Sequence, residues 1–135
     1  MKLPAAVEEI YECAYHLYTA GKYAESEKVF RILTSMDSFN INYWIGLGAS
    51  LQLQSKHQQA VDVFGAAALI DADEINPFPH LHAAECLHLL GKDSLAITAL
   101  DSAILIASKT EKHHSLLSQL RFLHERWTYG RIAKL

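Results

Sequence analysis

Apolar residues along the chain recur with a period near 3.6, and no segment alternates with the period of 2 that marks a strand. The pattern predicts an all-helical protein. Three short breakers interrupt it: "AGKYAES" (20–26), "QSKHQQA" (54–60) and "LGKDSLA" (90–96). Aligned on one another, they expose an internal repeat. The step is 34 residues from Gly21 to Ser55 and 36 from Ser55 to Gly91, with the two additional residues falling in "ADEINP" before Pro77.

A helix pair repeated at about 34 residues is the tetratricopeptide arrangement. The repeats are placed at about 7–40, 41–74 and 77–110. In the first, the pattern positions are Ile10, Cys13, Ala14, Leu17, Gly21, Tyr23, Ser26, Phe30 and Leu33. Small residues at Ala14, Gly48 and Ala84, and at Ser26, Ala60 and Ala96, let the two helices of each repeat approach closely. Phe30, Trp44, Phe64 and Leu100 fill the space between repeats. Gly21 and Gly91 suit the left-handed backbone that ends a helix. Beyond them, Leu116, Leu117, Leu120, Leu123 and Trp127 recur at helical spacing and predict a capping helix over 110–128. Its outer face carries Lys112, Gln119, Arg121 and Arg126. Only six residues precede repeat one, so no N-terminal cap is expected. The expected fold is one all-α domain, an α-α superhelix of three tetratricopeptide repeats plus a C-terminal capping helix.

In such a solenoid the first helix of each pair lines the concave side. The concave positions read Glu8, Tyr11, Tyr15, Tyr18 and Thr19 in repeat one. They are Asn42, Ile45, Ala49, Gln52 and Leu53 in repeat two, and Phe78, Leu81, Glu85, His88 and Leu89 in repeat three. The tyrosines are the informative set, because a second apolar stripe (Ile10, Cys13, Ala14, Leu17) already serves the core. Tyrosine joins apolar area to a hydroxyl and freezes few rotors on binding. Three readings of the stripe stand: a ligand groove, a contact with a second copy of the chain, or ordinary packing.

Composition removes several other classes. The chain has 135 residues, half of them hydrophobic, and a formal charge of −3. That is enough to build a core without disulfides or metal, and it offers no basic footprint for nucleic acid or anionic membrane. Cys13 and Cys86 lie far apart and read as small buried thiols of a reducing compartment. The start "MKLPAAVEEIYE" is not a signal peptide. The most apolar run, 95–107, is too short to span a bilayer and holds Asp101. A cytoplasmic location is expected, without stable membrane insertion. In "HLHAAECLH", His82, Glu85, Cys86 and His88 resemble a ligand cluster, but no second helix supplies matching donors, whereas closed zinc sites need four. "KHH" (112–114) reads as a solvated turn, and Asp62 and Asp101 as a solvated convex face. No glycine-rich phosphate loop is present; Gly46 and Gly48 lie inside a helix and serve packing. The chain is expected to be no enzyme and to need no cofactor.

Three segments carry a family resemblance: "LYTAGKYAESEKVFRIL" (17–33), "YWIGLGASLQLQSKHQQAVDVFGAAALID" (43–71) and "PHLHAAECLHLLGK" (79–92). Together they resemble the class II chaperones of type III secretion systems, of the SycD/LcrH/IpgC type, over about residues 10–107. "WIGLGAS", "GAAALID" and "HAAECLHLLG" carry most of the likeness. The resemblance implies a chaperone that holds an extended N-terminal segment of a hydrophobic secreted translocator in its concave groove, against aggregation and premature membrane insertion. It implies groove roles for Tyr11, Tyr15 and Tyr18, and groove or near-groove roles for Ala49 and for His82 to Glu85. Leu81 stands where the family has Phe, and Gln58–Gln59 where it has acidic residues. The resemblance also allows a homodimer, to which family members usually contribute a longer N-terminal segment that forms an extra helix; that segment is expected to be nearly absent here, which leaves the dimer mode open. The alternative is a tetratricopeptide adaptor or needle-subunit co-chaperone of the same apparatus.

Overall fold

The structure, a computed structural model, describes residues 5–133. Helices alternate with short turns: α1 (Ala5–Thr19), α2 (Tyr23–Met36), α3 (Ile41–Gln52), α4 (His57–Ile70), α5 (Phe78–Leu89), α6 (Asp93–Ala107) and α7 (His114–Ala133). No strand occurs among the described residues. A short 3-10 turn, Glu111–His113, precedes α7, so the last helix starts later than the pattern predicts and runs past Thr128.

Each helix packs against the next along the chain. Beyond that, α1 touches α3 and α3 touches α5, while α2, α4 and α6 lack a comparable contact with one another. Helices α1, α3 and α5 therefore form the inner, concave layer and α2, α4 and α6 the outer layer, which is the curvature of a helix-pair solenoid.

The turns show why the repeat closes. Gly21, Ser55 and Gly91 all sit at positive φ, at 79°, 61° and 75°. In each, the following lysine donates its N–H back into the helix just ended: Lys22 to Leu17, Lys56 to Leu51 and Lys92 to Leu87, at 2.9–3.0 Å. This is the six-residue closure of a left-handed helix end. The carbonyls of the same three lysines then accept the first bonds of α2, α4 and α6. Ser55 is the exception in kind, because a side chain in the left-handed region costs about 1–2 kcal/mol. Ser55→Gly is expected to stabilise the protein by about 0.5 kcal/mol, after the entropy glycine adds to the unfolded chain. Thermal melts should show the rise, together with a fall of about 1 kcal/mol for Gly21→Ala, whose new Cβ would meet nothing.

The small residues do what the repeat predicts. Ala14, Ser26, Ala60, Ala84 and Ala96 are fully buried, as are Phe64 and Leu100. Gly48 is buried as well. A first core cluster gathers Val7, Ala14, Phe30, Leu33, Tyr43, Leu47, Leu51, Ala60, Phe64, Ala83 and Cys86. A second gathers Ala84, Leu100, Ala103, Ala107, Leu117 and Leu120. Helix α5 serves both, with Ala83 and Cys86 facing back along the chain and Ala84 facing forward.

Three expectations are corrected. Cys13 is exposed, not buried. The buried stripe of α1 contains Val7 and Ala14, seven residues apart, and this rotates Cys13 outward. Trp44 does not fill the inter-repeat space alone. Its neighbour Tyr43 is the buried ring, while Trp44 is half-buried and donates from Nε1 to the Ser38 carbonyl at 2.8 Å. The outer face of α7 is not wholly polar: Phe122 and Tyr129 are exposed on it beside Arg126.

Polar contacts tie the first repeat to the second. The buried hydroxyls of Ser26 and Ser50 lie 2.8 Å apart, and Ser50 Oγ also donates to the Gly46 carbonyl. Glu27 accepts from Arg31 Nε at 2.9 Å, Gln54 Nε2 at 2.9 Å and Lys56 Nζ at 3.1 Å. Lys92 Nζ donates to Gln58 at 2.7 Å, so two turn lysines reach back to the preceding outer helix.

Candidate functional site

On the inner face, α1, α2, α3 and α5 together enclose a depression of about 280 Å³. Tyr11, Tyr15 and Tyr18 form one wall, and Ile45 and Ala49 the other. Asn42 and His82 also line it, and Phe30 and Gly46 form its floor. The floor follows from local packing. Gly46 has no side chain, so the Phe30 ring closes directly on the backbone of α3. A space of this size suits one or two apolar side chains and is small for a drug-sized molecule.

The three tyrosines differ. Tyr11 is half-buried and packs against the first core cluster. Its ring meets Phe30 edge-on at 6.2 Å and Tyr43 at 5.4 Å. The stripe is therefore not separate from the core at this residue. Tyr18 is half-buried, edge-on to Tyr23 at 5.5 Å. Tyr15 is 56% exposed and also borders a shallower depression with Glu12 and His16. Burial, then the nearby Tyr23 and Tyr15, pushes the Tyr18 hydroxyl above its usual pKa; burial does the same at Tyr43, helped by Asp37. Both therefore remain neutral hydrogen-bonding groups around neutral pH.

The remaining expected groove residues are scattered. His82 reaches the tyrosine depression, and its Nδ1 lies 2.7 Å from Glu85 Oε1. Phe78 is exposed and stacks on His82 at 6.1 Å. Leu81 is half-buried and packs on the second core cluster. Gln52 is half-buried, and Leu53 is exposed at the end of α3. His88 lies elsewhere: its ring stacks on Trp127 of α7 at 4.3 Å. With Asp93, Phe122, Leu123, Arg126 and Gly130 it borders a different depression, of about 380 Å³. Phe30 and Gly46 were missed as site residues. Their signal lay in the repeat itself, where a small residue opposite a buried ring marks close approach.

Among the described residues no group of three or more His, Cys, Asp or Glu side chains is placed to hold a metal ion. Burial, and secondarily the Glu85 charge, pushes the Cys86 thiol up to about 11, which leaves it an unreactive core group. No helix among the described residues is long and apolar enough to cross a membrane.

A stack of helix pairs, with a tyrosine-lined depression on its inner face, is the arrangement of a tetratricopeptide solenoid. A tetratricopeptide repeat matches residues 41–73. The chain is 37% identical over 106 residues to the low calcium response locus protein H of Yersinia pestis, a match covering 78% of this chain and 62% of that protein. Pseudomonas aeruginosa PcrH, in a crystal structure with the chaperone binding region of PopD, superposes with a TM-score of 0.89 at 29% identity. That match covers 94% of each chain. The Yersinia enterocolitica type III secretion chaperone SycD, with a peptide of the translocator YopD, superposes with a TM-score of 0.88 at 26% identity, covering 96% of this chain and 97% of that one. The chain belongs to the tetratricopeptide-repeat chaperone family of type III secretion systems.

Proposed function

We propose that this chain is a non-enzymatic cytoplasmic chaperone whose concave groove holds an extended segment of a hydrophobic secreted translocator, keeping it from aggregation and premature membrane insertion. One observation carries the reading. A small apolar depression on the inner face, walled by Tyr11, Tyr15 and Tyr18 and floored by Phe30, has the size for a client side chain. PcrH and SycD, which share the fold, are seen with translocator segments. No nucleotide or metal enters the proposal, because capture by a few buried anchors needs neither.

The test is binding of synthetic PopD and YopD segments by calorimetry. The wild-type chain is expected to bind at least one of them. Tyr15→Ala and Tyr18→Ala should each weaken that binding about tenfold or more, the range of interface anchor residues. Tyr15→Ala should leave the melting temperature unchanged, because that ring is mostly exposed. Loss of fold in this variant, or unchanged affinity in both, would remove the tyrosine wall from the client site.

A further inference from the structure

Resting on that reading, we propose that His82 is the groove's polar reader. It accepts a main-chain N–H from the extended client through Nε2, and Glu85 is the positioning residue that keeps this nitrogen an acceptor. The inference starts from one hydrogen bond. Nδ1 of His82 lies 2.7 Å from Oε1 of Glu85. An ionised carboxylate can only accept, so the shared proton belongs to Nδ1. In a neutral imidazole the second nitrogen is then a bare acceptor. No hydrogen bond joins Nε2 to another described residue, although the ring lines the tyrosine depression.

The ring is also held in plane. Phe64, fully buried, lies 5.3 Å from its centroid on one side, and Phe78 stacks at 6.1 Å with planes 25° apart. Phe78 is itself met edge-on by His113. A fixed acceptor beside an apolar hole is what an extended peptide needs. Its side chain enters the hole, and the adjoining N–H, which an extended strand leaves unpaired, finds a partner. The tyrosine hydroxyls rotate and can donate or accept, so they select less sharply between an N–H and a carbonyl. His82 gives the groove a preference for one register of the client backbone.

The experiment uses the PopD and YopD segments as probes, with an N-methyl group moved along the peptide one residue at a time. One N-methyl position is expected to weaken binding to the wild-type chain about five- to tenfold, the effect of one lost hydrogen bond. His82→Phe, which keeps an aromatic ring against Phe64, should weaken the unmodified peptide by a similar factor. It should also abolish the additional effect of that N-methyl group. Long-range proton–nitrogen spectra of the unliganded protein should show His82 with its proton on Nδ1, and Glu85→Ala should move it to Nε2. Three results overturn the proposal: His82→Phe binding as tightly as wild type, N-methyl effects that add to the His82→Phe loss, or a wild-type His82 protonated on Nε2. Should His82→Phe not fold, the spectra and the Glu85→Ala affinities decide alone. A wild-type chain that binds neither segment would sink the groove reading itself, and the client role of His82 with it, whatever the spectra show.

Discussion

Gly48→Ala is expected to destabilise the protein by about 3 kcal/mol, and Gly46→Ala by a comparable amount. A methyl group on Gly48 would stand 2.6 Å from Cε1 of Phe64, and one on Gly46 would overlap the ring of Phe30. Neither ring has room to retreat, since Phe64 is 0% and Phe30 3% exposed. Overpacking a filled core costs about 1–3 kcal/mol and sometimes more. The opposing gain in helix propensity, about 1 kcal/mol for Gly to Ala, is smaller. Gly65 supplies the control. It lies inside α4 with nothing near its missing Cβ, so Gly65→Ala should stabilise by about 0.5–1 kcal/mol. Urea melts of the three variants separate packing from propensity. Equal behaviour of Gly48→Ala and Gly65→Ala would show that the small-residue positions do not control helix approach.

Glu27→Gln is the second large effect, and it depends on pH. Burial by itself would raise this carboxyl. The hydrogen bonds from Gln54, Arg31 and Lys56, with the charge of Lys56, outweigh it and hold the pKa at about 2 against the usual 4.5. The folded state thus binds its proton later than the unfolded chain does. The resulting stability is fully present above about pH 5 and is lost as the pH falls towards 2. Arg31 and Lys56 are half-exposed and screened, so the loss on substitution is set at about 2 kcal/mol at pH 7. Wild type and variant should converge on acidification, with the variant losing less between pH 5 and 3. Parallel curves across that range would show that Glu27 does not carry the acid sensitivity.

The legibility of this fold in its sequence was uneven for a physical reason. The turns and the small residues were readable because each demands a particular chemistry: glycine at a left-handed helix end, or alanine and glycine where helices nearly touch. A repeat step of 34 or 36 residues then copies that demand along the chain. Rotation of a helix about its axis is less constrained. In α1 the stripes containing Cys13 and Val7 are both plausible, and only the packed neighbours show that Val7 goes inward. The same ambiguity exchanged Tyr43 for Trp44 as the buried ring. At the candidate site, the tyrosine wall, Ile45, Ala49 and His82 were expected together, and the depression contains them. His88 was expected in the groove and lies instead against Trp127, because its position depends on a helix outside the repeat pattern.

Tyr11 belongs at once to the hydrophobic interior and to the lining of the depression, and Phe30 below it does the same. Any change at either residue that adapts the groove to another client also disturbs the joint between the first two helix pairs. Tyr15, which stands mostly in solvent, carries no such debt. Diversification of client preference among chains built this way is therefore expected to run through Tyr15 and the residues facing it, with Tyr11 and Phe30 changing late and together.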